Sequence, residues 1–94
     1  MEKRKKPKIA VALRYEREQD QAPVVTASGQ GLMAERIIAL AKENKIHIEE
    51  NVVLAEALRN ISPGSEIPVE LYEAVAVLLA YIMESDVKAR KRRF

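Results

Sequence analysis

Large apolar residues alternate with small or polar ones at the start of the chain. In residues 9–15 the larger apolar side chains fall at every second position: Ile9, Val11, Leu13 and Tyr15. This period of two predicts a β-strand. A polar connector, Glu16–Gln21, leads to the run Pro23–Ala27, which predicts a second strand that begins at proline, where a missing N–H does least harm. The short connector favours a hairpin.

The period changes to that of a helix after residue 31. Residues 28–31 predict a turn, because Gly29 and Gly31 reach backbone conformations that other residues avoid. The segment 32–44 then predicts a helix with one broad apolar stripe, formed by Leu32, Met33, Ile37, Leu40 and Ala41. Ile46–Ile48 predicts a short third strand with His47 at its edge, so that the second strand, the helix and the third strand form a right-handed βαβ unit with parallel strands.

Two further helices are predicted downstream. Asn51 is a favourable N-cap for a helix through Leu58, which ends at the turn formed by residues 62–64. Pro68 fits the first position of a last helix. From Ala74 to Met83 every residue is apolar, although a helix in so small a domain buries roughly half of its circumference. The excess apolar surface is expected to meet a partner, or alternatively to widen an ordinary core contact.

Together these elements predict one domain of the mixed α/β (α+β) class. A small mixed β-sheet of three main strands is expected to be surrounded by three helices. The domain is expected to span residues 9–87, between a basic N-terminal tail, residues 1–8, and a basic C-terminal tail, residues 88–94.

The net charge of +2 hides an uneven distribution. Residues 9–87 hold six basic and thirteen acidic residues, whereas residues 3–8 and 88–93 hold five basic residues each. Such tails can bind nucleic acid or an anionic surface, or they can simply be solvated ends that aid solubility. The acidic body and the small number of aromatic residues, four in all, argue against a nucleic-acid-binding module.

The residue inventory excludes several other classes. There is no cysteine for disulfide or thiol chemistry, and a single histidine, His47, leaves any zinc site dependent on carboxylates. No metal, cofactor or small-molecule substrate is predicted. No apolar segment approaches the roughly 20 residues that cross a bilayer, and none follows the basic N-terminus as a secretory signal requires. The chain is expected to be cytoplasmic.

No catalytic constellation is visible in the sequence. The serines share one possible histidine base, and none lies in a nucleophile-elbow context. A Gly-x-Gly at residues 29–31 precedes a helix, as phosphate-binding loops do, but no further glycine and no Lys-Ser/Thr pair completes a nucleotide motif. We therefore expect a non-enzymatic protein without catalytic residues.

Six segments, in collinear order, resemble the cytoplasmic C-terminal domain of FlhB, the substrate-specificity switch protein of the flagellar type III export apparatus, which has relatives in virulence secretion. The resemblance covers residues 9–81. The segments are Ala10–Tyr15, Ala22–Val25, Gly29–Leu32, Ala41–Asn44, Leu54–Leu58 and Ile67–Ala76.

The chain departs from this family at the autocleavage motif. The family carries Asn-Pro-Thr-His before the first strand, and the Asn side-chain amide attacks its own carbonyl carbon to break the Asn–Pro bond. Here Lys5, Lys6, Pro7 and Lys8 stand in that place. Because no asparagine precedes any of the four prolines, self-cleavage by this route is excluded.

A second departure concerns the membrane domain of the family, for which the eight residues before the first strand leave no room. The chain is expected to be a short stand-alone form. The resemblance implies a component or adaptor of the export apparatus at its cytoplasmic face, touching the membrane only peripherally and acting beside or in place of the C-terminal half of a full-length homologue. Its partners would be export gate proteins and export substrates.

The resemblance also implies a binding site. The apolar patch by which the family recognises export substrates maps onto Ala22 and Pro23, before the second strand, and onto Ala76 and Leu79 on the last helix. Ala76 and Leu79 are three residues apart and therefore share a helical face. The alternative is that Leu79 is a core residue.

Overall fold

The chain forms a small antiparallel sheet with three helices. The computed structural model describes residues 8–16 and 20–91, with side chains as far as residue 82. The elements, in chain order, are β1 (Ile9–Arg14), β2 (Val24–Gln30), α1 (Leu32–Glu43), α2 (Val52–Leu58), a 3₁₀ turn (Val69–Leu71) and α3 (Tyr72–Lys91). The predicted mixed α+β class is confirmed.

The two strands form the predicted hairpin. They pair in antiparallel fashion, starting with Ile9 opposite Gln30. The register shifts between Ala12 and Leu13, which leaves Thr26 as an extra residue in β2, and the Thr26 hydroxyl donates a hydrogen bond to the Ala12 carbonyl (3.3 Å). A bulge of this kind increases the local twist of the strands.

A polar cluster closes the connection between the strands. The Asp20 carboxylate accepts the backbone N–H of Glu16 (3.0 Å) and lies 3.3 Å from Nη2 of Arg14. The hydrogen bond from Glu16 and, to a smaller extent, the Arg14 guanidinium lower the pKa of Asp20 from its ordinary value of 3.8, against an opposing effect of burial. The ionised carboxylate therefore stabilises the fold above that ordinary value, and this stability is lost as the pH falls through the lowered pKa.

The predicted third strand at Ile46–Ile48 is wrong, and so is the parallel βαβ unit. Residues 46–50 adopt no regular secondary structure. The segment 64–67 instead lies along β2, where Val24 forms an antiparallel bridge with Glu66. Three backbone hydrogen bonds join the two segments: Gly64 N–H to the Val25 carbonyl (2.6 Å), Val25 N–H to the Ser65 carbonyl (2.9 Å) and Ile67 N–H to the Pro23 carbonyl (2.9 Å).

Small residues on one face of the sheet allow α1 to approach closely. Ala10 is buried and lies opposite Gly29 in the hairpin. A Cβ atom at Gly29 would lie 2.5 Å from Cγ and 2.8 Å from Cβ of Met33 on α1, so only glycine leaves room for this helix. Gly29 and Gln30 thus belong to β2, which extends three residues beyond the end predicted at Ala27.

Gly31 alone makes the turn into α1. Its φ of 59° and ψ of −125° lie in a region that residues with a Cβ avoid. Its N–H donates to the Lys8 carbonyl (2.9 Å) at the start of β1, and its own carbonyl accepts the N–H of Glu35 (3.0 Å). The predicted four-residue turn is therefore reduced to one glycine, and α1 begins at the predicted Leu32.

The C-terminus of α1 ends in a Schellman motif. The N–H of Ile46 donates to the Ala41 carbonyl (2.9 Å), and the N–H of Lys45 donates to the Lys42 carbonyl (3.2 Å). Such a motif needs a left-handed residue after the helix, and Lys45 has a φ of 56°. A lysine thus holds a backbone conformation for which glycine is the usual residue.

Helix α2 has the predicted N-cap. The Asn51 side-chain oxygen accepts the backbone N–H of Leu54 (3.0 Å), which satisfies one of the free amides of the first turn. At the other end, the Ser28 hydroxyl of β2 donates to the Arg59 carbonyl (3.2 Å). Both ends of this short helix are thereby fixed, although it has only seven residues.

The main core lies on the sheet face that carries the larger side chains. Two residues of α2, Leu54 and Leu58, are buried there, together with Val75 of α3. The remaining buried members are Ala22, Val25 and Ile67, and partly buried apolar residues pack around them: Val11, Leu13, Ile61, Leu71, Leu78 and Leu79. The core thus joins β2, α2 and the first turns of α3.

Helix α3 starts later than predicted. Pro68 precedes the 3₁₀ turn with extended backbone angles (φ −69°, ψ 154°), so it is not the first residue of the α-helix. The helix continues to Lys91, past the domain boundary expected at residue 87. Among the residues that the structure describes, no helix is both long and apolar enough to cross a membrane.

Candidate functional site

The four positions of the predicted binding patch differ in exposure, and the main core brings together two of them, Ala22 and Leu79. Ala22 is 2% exposed and belongs to the main core, and Leu79 is half-buried and packs against that core. Pro23 is half-buried, and its carbonyl accepts the Ile67 N–H (2.9 Å). Of the four, only Ala76 is exposed.

The expectation that Ala22 contributes exposed surface is therefore wrong. Its side chain belongs to the buried cluster that also contains Val25, Ile67 and Val75. Because this methyl group is removed from solvent, Ala22 contributes to the core rather than to the exposed surface.

Further apolar residues on α3 enlarge the exposed surface beside Ala76. Val77 is 68% exposed and Tyr81 is 58% exposed, and Tyr72 is also exposed. The resemblance to known proteins did not point to these residues. The apolar run 74–83, which is longer than one buried face requires, points to Val77 and Tyr81 but not to Tyr72.

Two other helices carry exposed apolar residues as well. Leu32, Met33 and Leu40 project from α1, and Val52 and Val53 project from the first turn of α2. Side chains of this kind can make apolar contacts with another molecule.

The described residues also include side chains that could bind a metal ion or carry charge at a site. In that part of the chain no three histidine, aspartate or glutamate side chains gather as metal ligands. His47 Nε2 lies 3.6 Å from Glu49 Oε1 in an exposed loop. Lys8 is exposed, whereas the other residues of the replaced cleavage motif, Lys5–Pro7, lie outside the described residues with most of the N-terminal tail.

This chain is similar both to a protein of about its own length and to a much longer protein. It is 37% identical to YlqH, an uncharacterized protein of Bacillus subtilis, over 89% of this chain and 90% of that protein. It is 42% identical to the flagellar biosynthetic protein FlhB of Aquifex aeolicus, over 80% of this chain but only 22% of that protein. The chain thus spans less than a quarter of this FlhB.

Solved structures share the fold. The C-terminal domain of PscU matches with a TM-score of 0.75 and 31% identity, over 79% of this chain and 95% of that domain. A mutated EscU/SpaS C-terminal domain matches with a TM-score of 0.77 and 32% identity, over 81% of this chain and 95% of that domain.

The sequence profile of the FlhB HrpN YscU SpaS family matches residues 7–82, which include both strands, α1, α2 and the packed part of α3. The match agrees with the similarity to FlhB and to the PscU and EscU/SpaS domains, and it associates the chain with flagellar biosynthesis and type III protein export. This chain belongs to the FlhB HrpN YscU SpaS family.

Proposed function

We propose that this protein is a non-enzymatic component of the flagellar type III export apparatus. It binds export substrates or export gate proteins at the cytoplasmic face of the apparatus. It does so in place of, or beside, the C-terminal domain of a full-length homologue. Membership of the family supports the role in export, and the exposed apolar surface of α3 supports the binding mode.

One observation carries this proposal. The chain reproduces 95% of the PscU C-terminal domain at a TM-score of 0.75, although it matches only 22% of the Aquifex FlhB sequence. The matched part is a folded unit with its own core, so it can present its surface as an independent body. We infer that this surface serves a protein interaction.

Because the chain has no Asn–Pro bond, the proposed role does not include self-cleavage. Cyclisation of asparagine needs its side-chain amide next to the carbonyl of the same residue, and Lys6 before Pro7 has no such group. The protein therefore does not change state by cutting itself at this position. We infer that it supplies one fixed conformation to its partners.

The proposed contact surface is built from Pro23, Ala76 and the exposed edge of Leu79, with Ala22 as its buried support. Pro23 and Ala76 are small and rigid, so they lose little side-chain entropy when a partner covers them. An apolar contact of this size gives a weak and reversible complex, which suits a site that must release each substrate.

Ala76→Glu tests the proposal. Because Ala76 is exposed, the variant is expected to fold and melt like the wild type, whereas the new charge must be desolvated at the interface. We expect capture of flagellar export substrates from the same organism to fall below detection. Val53→Glu is the matched control, since Val53 is 81% exposed on α2, outside the proposed surface.

A second test is deletion of the gene, both in a strain that has the full-length homologue and in a strain that lacks it. Loss of motility or altered hook length in either background supports the role in export. Normal motility and hook length in both backgrounds, together with equal substrate capture by Ala76→Glu and wild type, would refute it. Salt-dependent binding to random DNA would favour the alternative of a nucleic-acid-binding or anionic-surface-binding protein.

A further inference from the structure

The two-stranded sheet has one open edge, which runs along β1. Strand β2 lies between β1 and the segment 64–67, which is hydrogen-bonded to the other edge of β2. On the far side of β1, no backbone group within residues 8–16 and 20–91 forms a hydrogen bond with the strand. β1 is thus an edge strand that can still pair with another strand.

The hydrogen bonds of the hairpin show which groups of β1 point to this edge. The Lys8 carbonyl accepts the N–H of Gly31 (2.9 Å), so residues 8, 10 and 12 bond to β2 in the antiparallel alternation. Beyond the bulge, Val25 bonds to the segment 64–67, so its neighbour across the hairpin also points away from β2. The residues whose N–H and C=O groups are directed to the open edge are therefore Ile9, Val11 and Leu13.

The sequence of β1 does not guard this edge. Edge strands commonly carry a proline, a charged side chain or a bulge, each of which discourages further pairing. Residues 9–13 have only aliphatic side chains, and the bulge of the hairpin lies in β2, at Thr26. Helix α1 packs on one face of β1 and α2 on the other. The strand is therefore held in its extended form with its edge open.

We propose that β1 pairs with β1 of a second copy of this chain, in antiparallel orientation about Ala12. In this register Val11 of each copy exchanges hydrogen bonds with Leu13 of the other, and Ala12 lies opposite Ala12. Ile9 lies opposite Tyr15. The pairing joins two hairpins into one four-stranded sheet, and its twofold symmetry closes the assembly at a dimer.

Charge complementarity selects this occupant and this register. With Ala12 opposite Ala12, the exposed Lys8 of each copy lies opposite the exposed Glu16 of the other, so that opposite charges meet at both ends of the pair. Arg14 lies opposite Ala10, which carries no charge. A register shifted by one residue would place Lys8 opposite Arg14 and is disfavoured by two like-charge pairs. The strand that complements β1 is apolar between a basic and an acidic residue, and β1 itself is such a strand.

This inference goes beyond the proposed function, because it needs no export substrate. Pro23 of the proposed contact surface lies at the other edge of the sheet, where its carbonyl accepts the N–H of Ile67. Interfaces below about 1,200 Å² belong to weak complexes, so a single added strand pair is expected to give a concentration-dependent dimer. The experiments below use the purified protein alone, so their failure and the failure of substrate binding are distinguishable.

Sedimentation over a wide concentration range tests the association. We expect the wild type to shift from monomer to dimer as its concentration rises. Val11→Pro should weaken the dimer roughly tenfold or more, because it removes an N–H that makes no bond within the hairpin but two bonds in each dimer. Val11→Ala is the matched control, since it also loses contact with the core but keeps the N–H, and it should dimerise like the wild type.

Two results of this experiment would overturn the proposal. One is a wild type that stays monomeric at the highest soluble concentration. The other is equal dimerisation of Val11→Pro and Val11→Ala, with melting curves that show both variants to be folded.

Amide hydrogen exchange tests the edge without any substitution. The N–H of Ala10 bonds within the hairpin and should exchange slowly at every concentration. The N–H groups of Val11 and Leu13 should exchange rapidly in dilute protein and about tenfold or more slowly where the dimer forms. Exchange at these two positions that does not change while a dimer sediments would place the interface elsewhere. Protection of the same two amides in the dilute monomer would show that the edge is already covered.

Charge reversal tests the register. Lys8→Glu or Glu16→Lys alone should weaken the dimer about three- to tenfold, because each creates two like-charge pairs. The double variant restores opposite charges and should return the dissociation constant to near the wild-type value. Glu16→Lys also removes the 3.8 Å contact of Glu16 with Nε of Arg14 in its own copy, so melting curves accompany each variant. A tighter dimer of Lys8→Glu, or a double variant as weak as the worse single variant, would contradict pairing about Ala12.

Discussion

At the scale of single residues, Gly29 and Gly31 are required for different physical reasons. Gly29 lies in β2, where a Cβ atom would overlap Met33 of α1. Gly31 has open space around it, but its φ of 59° with ψ of −125° is strained for any residue with a side chain. Gly29 is therefore required for the contact between β2 and α1, and Gly31 is required for the backbone angles of the turn.

This difference predicts that a second substitution, at Met33, rescues one alanine variant and not the other. Gly29→Ala should lower the free energy of unfolding by about 1–3 kcal/mol through overpacking. Gly31→Ala should lower it by a similar 1–3 kcal/mol through backbone strain. Adding Met33→Ala should recover part of the loss at Gly29 and none at Gly31, as urea titrations in a double-mutant cycle would measure. Equal recovery at both positions would contradict this assignment.

Lys45 offers the opposite case, in which a substitution should stabilise the protein. A side chain in the left-handed region costs about 1–2 kcal/mol, and Lys45 has a φ of 56°. Lys45→Gly removes this cost but gives the unfolded chain more freedom, worth about 0.4–1 kcal/mol. A net gain of about 0.5 kcal/mol is expected in thermal or urea unfolding. Lys45→Ala removes the same charge and keeps the Cβ, so it should give no gain.

At the scale of elements, the sequence correctly predicted features that depend on interactions between nearby residues. The N-cap at Asn51 and the start of α1 after Gly31 depend on residues within one turn of each other, and both predictions are confirmed. Ile46–Ile48 has the alternation of a strand, but the N–H of Ile46 bonds back to the Ala41 carbonyl at the end of α1, and residues 46–50 form no regular structure. The segment that pairs with β2, residues 64–67, has little apolar character, and its pairing depends on hydrogen bonds to a strand about 40 residues earlier.

The candidate site shows the same limit. Collinear motifs locate Ala22, Pro23, Ala76 and Leu79 in the sequence, but a motif carries no information on exposure. Burial of Ala22 follows from how the segment before β2 packs against α2 and α3, a long-range result that no local pattern contains. Exposure of Val77 and Tyr81, in contrast, follows from the excess length of the apolar run and could be expected from the sequence.

At the scale of the whole molecule, α3 contributes both to the core and to the proposed contact surface. Its first turns complete the core through Val75, and its remaining turns extend past that core to Lys91. Ala76 and Leu79 lie next to the boundary between these two parts and differ in exposure. Ala76 is exposed, so its substitution is expected to leave the fold intact, whereas Leu79 packs on the core, so its substitution is expected to destabilise the fold.

This division predicts opposite outcomes for the same new residue at neighbouring positions. Leu79→Glu should lower the free energy of unfolding by several kcal/mol, because it removes apolar contacts with the core and forces a carboxylate towards them. Ala76→Glu should leave the free energy of unfolding within about 0.5 kcal/mol of the wild type, as surface substitutions do. Urea denaturation followed by far-UV circular dichroism measures both on matched preparations. If Leu79→Glu were as stable as the wild type and lost only substrate capture, Leu79 would be a surface contact and the core would close without it.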